Sequence, residues 1–155
     1  MQTQTANTHP AIRRAALRMM GHETSPRIAL SLYTLRPDQQ AIADHPAKIK
    51  VLAMGRRWGK TVLGGNLSLE PASHGQRVAW VVPTYKNGRA LWRWTENVTA
   101  QARKLKLCTT NRSERTIEFI NGGFLGIYSA DSEDSIRSEA FHRVIVDEAA
   151  RIPES

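Results

Sequence analysis

Three groups of residues have the types and spacing for phosphate chemistry. Gly55, Arg56, Arg57, Trp58, Gly59, Lys60 and Thr61 form a contiguous string of the kind whose backbone N–H groups cradle β- and γ-phosphates. Its lysine neutralises their charge, and its threonine hydroxyl ligates Mg²⁺. Asp147 and Glu148 close the apolar run Val144-Ile145-Val146. Two acids at a strand tip can divide the work, with Asp147 holding Mg²⁺ and Glu148 orienting or deprotonating a water at the γ-phosphate. Upstream, Pro37-Asp38-Gln39 offers a glutamine amide that can donate to and accept from an adenine edge. Gln40 is the competing candidate, and a solvent-facing glutamine is the plainer reading.

Each group depends on the element beneath it. The apolar, β-branched run over residues 49–54 predicts a strand leading into the loop, and residues 60–69 predict a helix leaving it despite the Gly64-Gly65 pair. Strand, loop and helix in that order separate a phosphate site from a chance basic turn. The loop departs from the usual spacing, because Gly55 leaves three residues before Gly59-Lys60 and Met54 holds the customary glycine position. Arg56 and Arg57 beside Lys60 repel one another unless a polyphosphate is present, which suits stabilisation of a transferring phosphoryl group.

A second strand is expected over residues 77–82, stopped by Pro83. A longer helix over 87–105 follows, with Leu91, Trp94, Val98, Ala102 and Leu105 on one stripe. Strand and helix alternation predicts an α/β fold with a mainly parallel sheet. Residues 116–120 and 124–128 flank Asn121-Gly122-Gly123 and predict a hairpin added antiparallel to that sheet. After a polar loop over 129–138, residues 142–147 return as a strand ending in acid, where doubly wound folds place their ligands. A helix start with proline in its opening turn is expected from Arg36.

At 155 residues there is room for one domain with a hydrophobic core, and neither an internal repeat nor a second domain is visible. The first 34 residues read as a flexible basic arm, with one short helix near 12–20, and ordered ATPase-type structure is expected over 35–155. Arg13, Arg14, Arg18, Arg27 and Arg36 lie in or just after this arm, against Glu23 alone. A net charge of +8 makes polyanions the natural partners, through counterion release from phosphates. Cys108 is the single cysteine, so an intrachain disulfide and a thiolate metal cluster are excluded. His9, His22, His45, His74 and His142 are scattered without ligand spacing, and no zinc site is expected. No apolar run is long enough to span a bilayer and no secretory signal is visible, so the expected location is intracellular.

Taken in order, these motifs resemble the N-terminal ATPase domain of tailed-phage terminase large subunits, in which the loop is often Gly-Arg-Arg-x-Gly-Lys-Thr. The resemblance covers residues 35–155. It includes Val82-Pro83-Thr84-Tyr85, the Asn121-Gly122-Gly123 hairpin, Ser129-Ala130-Asp131, Asp134-Ser135-Ile136-Arg137 and the run Phe141 to Ala150.

It implies a P-loop NTPase of the ASCE, RecA-like kind that uses ATP and Mg²⁺ to drive double-stranded DNA into a procapsid. The expected setting is a homo-oligomeric ring with portal protein and terminase small subunit, in the host cytoplasm. It implies Lys60 and Thr61 at phosphate and metal, Asp147 at Mg²⁺, Glu148 as catalytic carboxylate, Gln39 at adenine, and Arg56, or else Arg57, as an arginine finger. The family continues past these acids into a coupling motif on a further strand and a nuclease. That continuation lies outside this sequence, so an incomplete sheet edge and no DNA cleavage are expected.

Lys86, Arg89 and Arg93 share a helix face that could meet DNA phosphates, although a solvated face is the simpler reading. Trp80, Trp92, Trp94 and Tyr85 read as core or interface aromatics. Arg137 is an ordinary surface arginine by default, with a neighbouring subunit or the nucleotide as its functional alternative. Two rivals remain. A DEAD-box-like helicase shares the glutamine, loop and acid logic, but the paired loop arginines and Asp-Glu-Ala-Ala argue against it. A truncated remnant would bind nucleotide or DNA without turnover.

Overall fold

The computed structural model describes residues 27–131, 136 and 139–152. The arm over 1–26, its short helix and Arg137 lie outside the described residues. Among the described residues the elements run in the order α1 (Pro37–Asp44), α2 (Lys60–Ser73), β1 (Arg77–Val82), α3 (Arg89–Val98), α4 (Ala100–Lys104), β2 (Cys108–Asn111), β3 (Thr116–Phe119), β4 (Phe124–Ser129) and β5 (Arg143–Val146). A 3₁₀ turn over Ala149–Arg151 follows.

The strands form one open sheet in the order β2-β3-β4-β1-β5. β1 is parallel to both β4 and β5, whereas β3 is antiparallel to β4 and to β2. The expected hairpin is present, and its second strand is central to the sheet. β2 was not foreseen, because Cys-Thr-Thr-Asn has no strand-like apolar alternation and is specified by its ladder with β3.

α2, α3 and α4 pack on one face of the sheet. Trp80, Val78, Val82, Ile117, Leu125 and Ile127 meet Leu69, Ala72, Leu91 and Trp92 there in the main core. Gly64 and Gly65 explain how α2 approaches so closely: a Cβ on Gly64 would lie 2.2 Å from Cη2 of Trp80, and one on Gly65 2.4 Å from Cζ3 of Trp94. The pair weakens the helix by propensity and is required by packing. Packing also reaches back to Ile28, which is buried and donates its N–H to the Ser73 carbonyl. The opposite face carries a smaller cluster of Ala79, Phe124 and Tyr128 with Ile136 and Phe141.

Two expectations are corrected. The single helix over 87–105 is broken at Thr99, whose hydroxyl donates to the Thr95 carbonyl, a back-bond that bends helices. Leu105, expected on the apolar stripe, is 60% exposed.

The strand over 49–54 does not form; Ile49 and Val51 are 84% and 89% exposed. A strand is defined by its ladder. Here Lys50 instead ties the segment to α1, its Nζ donating to the carbonyls of Ile42 and Ala43 at 2.8 and 2.9 Å. On the sheet side, β5 pairs with β1 alone among the described residues, and Val144 and Val146 are half exposed. The sheet is therefore open at this edge.

Candidate nucleotide site

The loop residues join the extended segment to α2 without the strand expected beneath them. Gly59, the N-cap, has φ +96°, a left-handed conformation that favours glycine. It turns the chain so that Lys60 opens the helix, and no side chain caps that end. The first-turn N–H groups have no partner within the helix and, with the helix dipole, form an anion-accepting end. Thr61 lies exposed in this first turn.

Lys60 Nζ donates to the Met54 carbonyl at 2.9 Å, so the amine closes the loop on itself. Arg56 and Arg57 are exposed, and among the described residues neither guanidinium has a partner; Arg57 takes φ +60°. Three cations thus crowd one short loop, an arrangement favoured by bound polyanion.

α1 braces the loop from behind. Gln39 is buried, its Oε1 accepting from the Arg36 N–H at 3.0 Å and its Nε2 donating to the carbonyls of Trp58 and Gly59 at 3.3 and 3.4 Å. Gln39 is the buried partner of the loop, while Gln40 is exposed and bonds Asp44. Arg36 adds Nη1 to the Trp58 carbonyl at 2.9 Å and lies 5.2 Å over the Trp58 ring. Sequence reading passed over Arg36 as a site residue; its place immediately before Pro37, at the N-cap, is the signal that could have marked it.

β5 delivers the carboxylates. Asp147 N–H continues the ladder to the Val81 carbonyl at 2.9 Å, fixing the acid at the tip. Burial pushes the Asp147 carboxyl above its ordinary value, and the Glu148 carboxylate adds to this. The Glu148 backbone N–H and the charge of Lys60 pull the other way. Lys60 and Asp147, distant in sequence, are therefore electrostatic neighbours. Glu148 has φ +50°, and its Oε2 accepts from Asn87 Nδ2 and Arg151 Nη1, both at 3.1 Å. Asn87 is fixed in turn by the Thr84 hydroxyl. Neither Asn87 nor Arg151 was anticipated: the Asn87 contact joins residues 61 apart and leaves no local pattern, whereas Arg151 lies three residues from Glu148, a spacing that could have marked it.

Among the described residues no group of three or more His, Cys, Asp or Glu could hold a metal ion. This donor set suits Mg²⁺ bound by one carboxylate together with phosphate oxygens and water, which is how that ion is usually held. Lone Asp147 and the uncapped, cationic end of α2 fit a magnesium nucleotide better than a free metal.

No family model and no curated protein matches the chain. Two solved structures do. The large terminase ATPase domain of Thermus phage P74-26 aligns with a TM-score of 0.62 at 25% identity, over 78% of this chain and 56% of that one. A variant of the same domain with one arginine changed to alanine aligns with a TM-score of 0.62 at 24% identity. This chain thus spans a little over half the length of the domain it matches.

Proposed function

We propose that this chain is the ATP-binding and ATP-hydrolysing part of a phage terminase large subunit, the motor that moves double-stranded DNA into procapsids. The observation that carries the reading is the uncapped head of α2, where Gly59 at φ +96° presents Lys60 and Thr61 at the end of a loop holding Arg56 and Arg57, within a fold similar to a terminase ATPase domain. Residues 35–155 would be the ATPase unit, preceded by a basic arm whose last stretch, with Ile28, Leu30 and Leu32, packs on the domain's core and is not a free tail. Portal protein, terminase small subunit and a ring of like chains are the proposed partners, in the cytoplasm of the host. Among the described residues no helix is long and apolar enough to cross a membrane.

In this mechanism the α2 N-terminus and loop N–H groups receive the phosphates, and Lys60 exchanges the Met54 carbonyl for a phosphate oxygen. Asp147 and Thr61 would supply oxygen ligands to Mg²⁺, which when bound would offset phosphate charge. Arg56 or Arg57 adds positive charge as the γ-phosphoryl group departs. Glu148 accepts the proton of the attacking water at whichever oxygen Asn87 and Arg151 leave free. Gln39 transmits the nucleotide's fit to the loop it braces, and reads adenine if its amide is shared.

A second reading, nucleotide binding without turnover, is favoured by one observation: the segment entering the loop is not held in the sheet. Phosphate release from Mg-ATP, with and without duplex DNA, beside Glu148→Gln, separates the two. Turnover abolished by Glu148→Gln supports the motor. Binding with no turnover under either condition supports the second reading, and turnover accompanied by strand separation would favour a helicase.

A further inference from the structure

We infer that α3, α4 and the β2–β3 turn form the surface along which this protein holds the phosphate backbone of a nucleic-acid duplex; the inference rests on the proposed DNA-handling role and names where the duplex lies. Arg89 and Arg93 lie four residues apart on one face of α3, and Lys86 stands in the turn that leads into it. All three are exposed, and their side chains have no partner among the described residues. Glu96 continues the same face and draws two further arginines to it. Arg112 Nε donates to its Oε1 at 2.8 Å, and Arg103 lies 3.7 Å from the same oxygen while donating to the Glu96 carbonyl. Arg115 stands at the other end of the turn, 4.3 Å over the Tyr85 ring. The turn is thereby anchored beside α3 at both Tyr85 and Glu96.

Among the described residues these elements carry Lys86, Arg89, Arg93, Arg103, Arg112 and Arg115 against Glu96 and Glu114, with Glu114 already accepting from Asn111 and Glu148 approaching only at the Asn87 end. The imbalance arises from three separate elements folded together, which distinguishes it from an ordinary solvated helix face. Arg89 and Arg93 are one turn apart, about 6 Å along the axis. Each DNA strand carries one phosphate per ~3.4 Å of duplex axis, so two arginines at this separation can reach two phosphates of one strand. Single strands are disfavoured because the surface lacks a stacking platform: Tyr85 is half-buried beneath Arg115, and Trp92 is in the core.

The test is fluorescence-anisotropy binding of a labelled duplex to the full chain over a range of salt, without nucleotide. The Arg89→Gln/Arg93→Gln double variant is expected to reduce the slope of log K against log salt by about 2, and affinity at 0.1 M salt by roughly 60-fold if the non-electrostatic part is unchanged. Arg27→Gln/Lys48→Gln removes the same charge elsewhere and is expected to leave the slope unchanged. Glu96→Gln is expected to tighten binding.

Equal losses from the two double variants would overturn the surface, as would tighter binding to a single strand of equal length or to polyglutamate. Mg-ATP binding by the same preparations keeps the outcomes separate. A chain that binds ATP but loses nothing with Arg89→Gln/Arg93→Gln refutes the surface alone, and a folded chain that fails to bind ATP refutes the proposed nucleotide site.

Discussion

Gly64→Ala tests the packing that seats α2, and with it Lys60, on the sheet. A helix interior gains about 1 kcal/mol from glycine to alanine by propensity, so the change would stabilise an unconstrained helix. Here the new methyl would lie 2.2 Å from Cη2 and 2.7 Å from Cζ3 of Trp80, a ring only 1% exposed on a strand paired on both sides. Overpacking of this kind costs about 1–3 kcal/mol. The expected net effect is a loss of about 1 kcal/mol, roughly fivefold in the folding equilibrium.

Gly65→Ala provides the contrast. Its methyl would meet Trp94 at 2.4 Å, but that ring is only partly buried and stacks on Tyr33, itself 56% exposed, so it can tilt outward. The overpacking and propensity terms should then nearly cancel. Urea unfolding followed by far-UV circular dichroism compares the variants, an unchanged m-value showing that stability alone has moved. A Gly64→Ala chain as stable as the parent, or one more stable than the Gly65→Ala chain, would refute the reasoning.

Gln39→Ala should weaken ATP and GTP binding in parallel, since Gln39 braces the Trp58 and Gly59 carbonyls; a loss confined to ATP would show instead that the amide reads adenine directly. Asn87→Ala removes one donor from Glu148, worth about 1 kcal/mol, and should slow phosphate release about fivefold with ATP affinity unchanged, as single-turnover and binding measurements would show. Because burial raises the Asp147 carboxyl pKa, the folded chain is favoured when Asp147 is protonated. That contribution is fully present below the ordinary carboxylate pKa and is lost as pH rises through the raised value. Asp147→Asn should therefore raise the urea midpoint at neutral pH relative to the parent, with the difference shrinking at acid pH, while weakening the Mg²⁺ dependence of ATP binding.

The sequence made some features legible because they are contiguous. The loop from Gly55 to Thr61, the apolar strands under Trp80 and Ile145, and the hairpin around Asn121 all announce themselves within a few residues. Features set by distant partners were hidden or misread. The apolar run at 49–54 predicted a strand, but apolarity does not supply a ladder partner, and Lys50 holds the segment against α1. Cys108–Asn111 is the reverse case, a polar segment made into a strand by β3. Thr99 breaks a helix whose apolar pattern runs through it. At the site, the residues of the phosphate loop and the Asp147-Glu148 pair were readable. Asn87 was not, because its contact with Glu148 exists only once the β1 exit and the β5 tip come together, while Arg36 before Pro37 and Arg151 three residues after Glu148 left local signals that were passed over.

Calorimetric titration of the folded chain with Mg-ATP, beside Lys60→Ala, tests the central claim most directly. The parent is expected to bind, and Lys60→Ala to lose a charge-assisted contact worth about 1.5–3 kcal/mol, roughly 10- to 150-fold in affinity. A folded parent that does not bind Mg-ATP, or a Lys60→Ala chain that binds it equally well, would contradict the assignment of this loop as a nucleotide site.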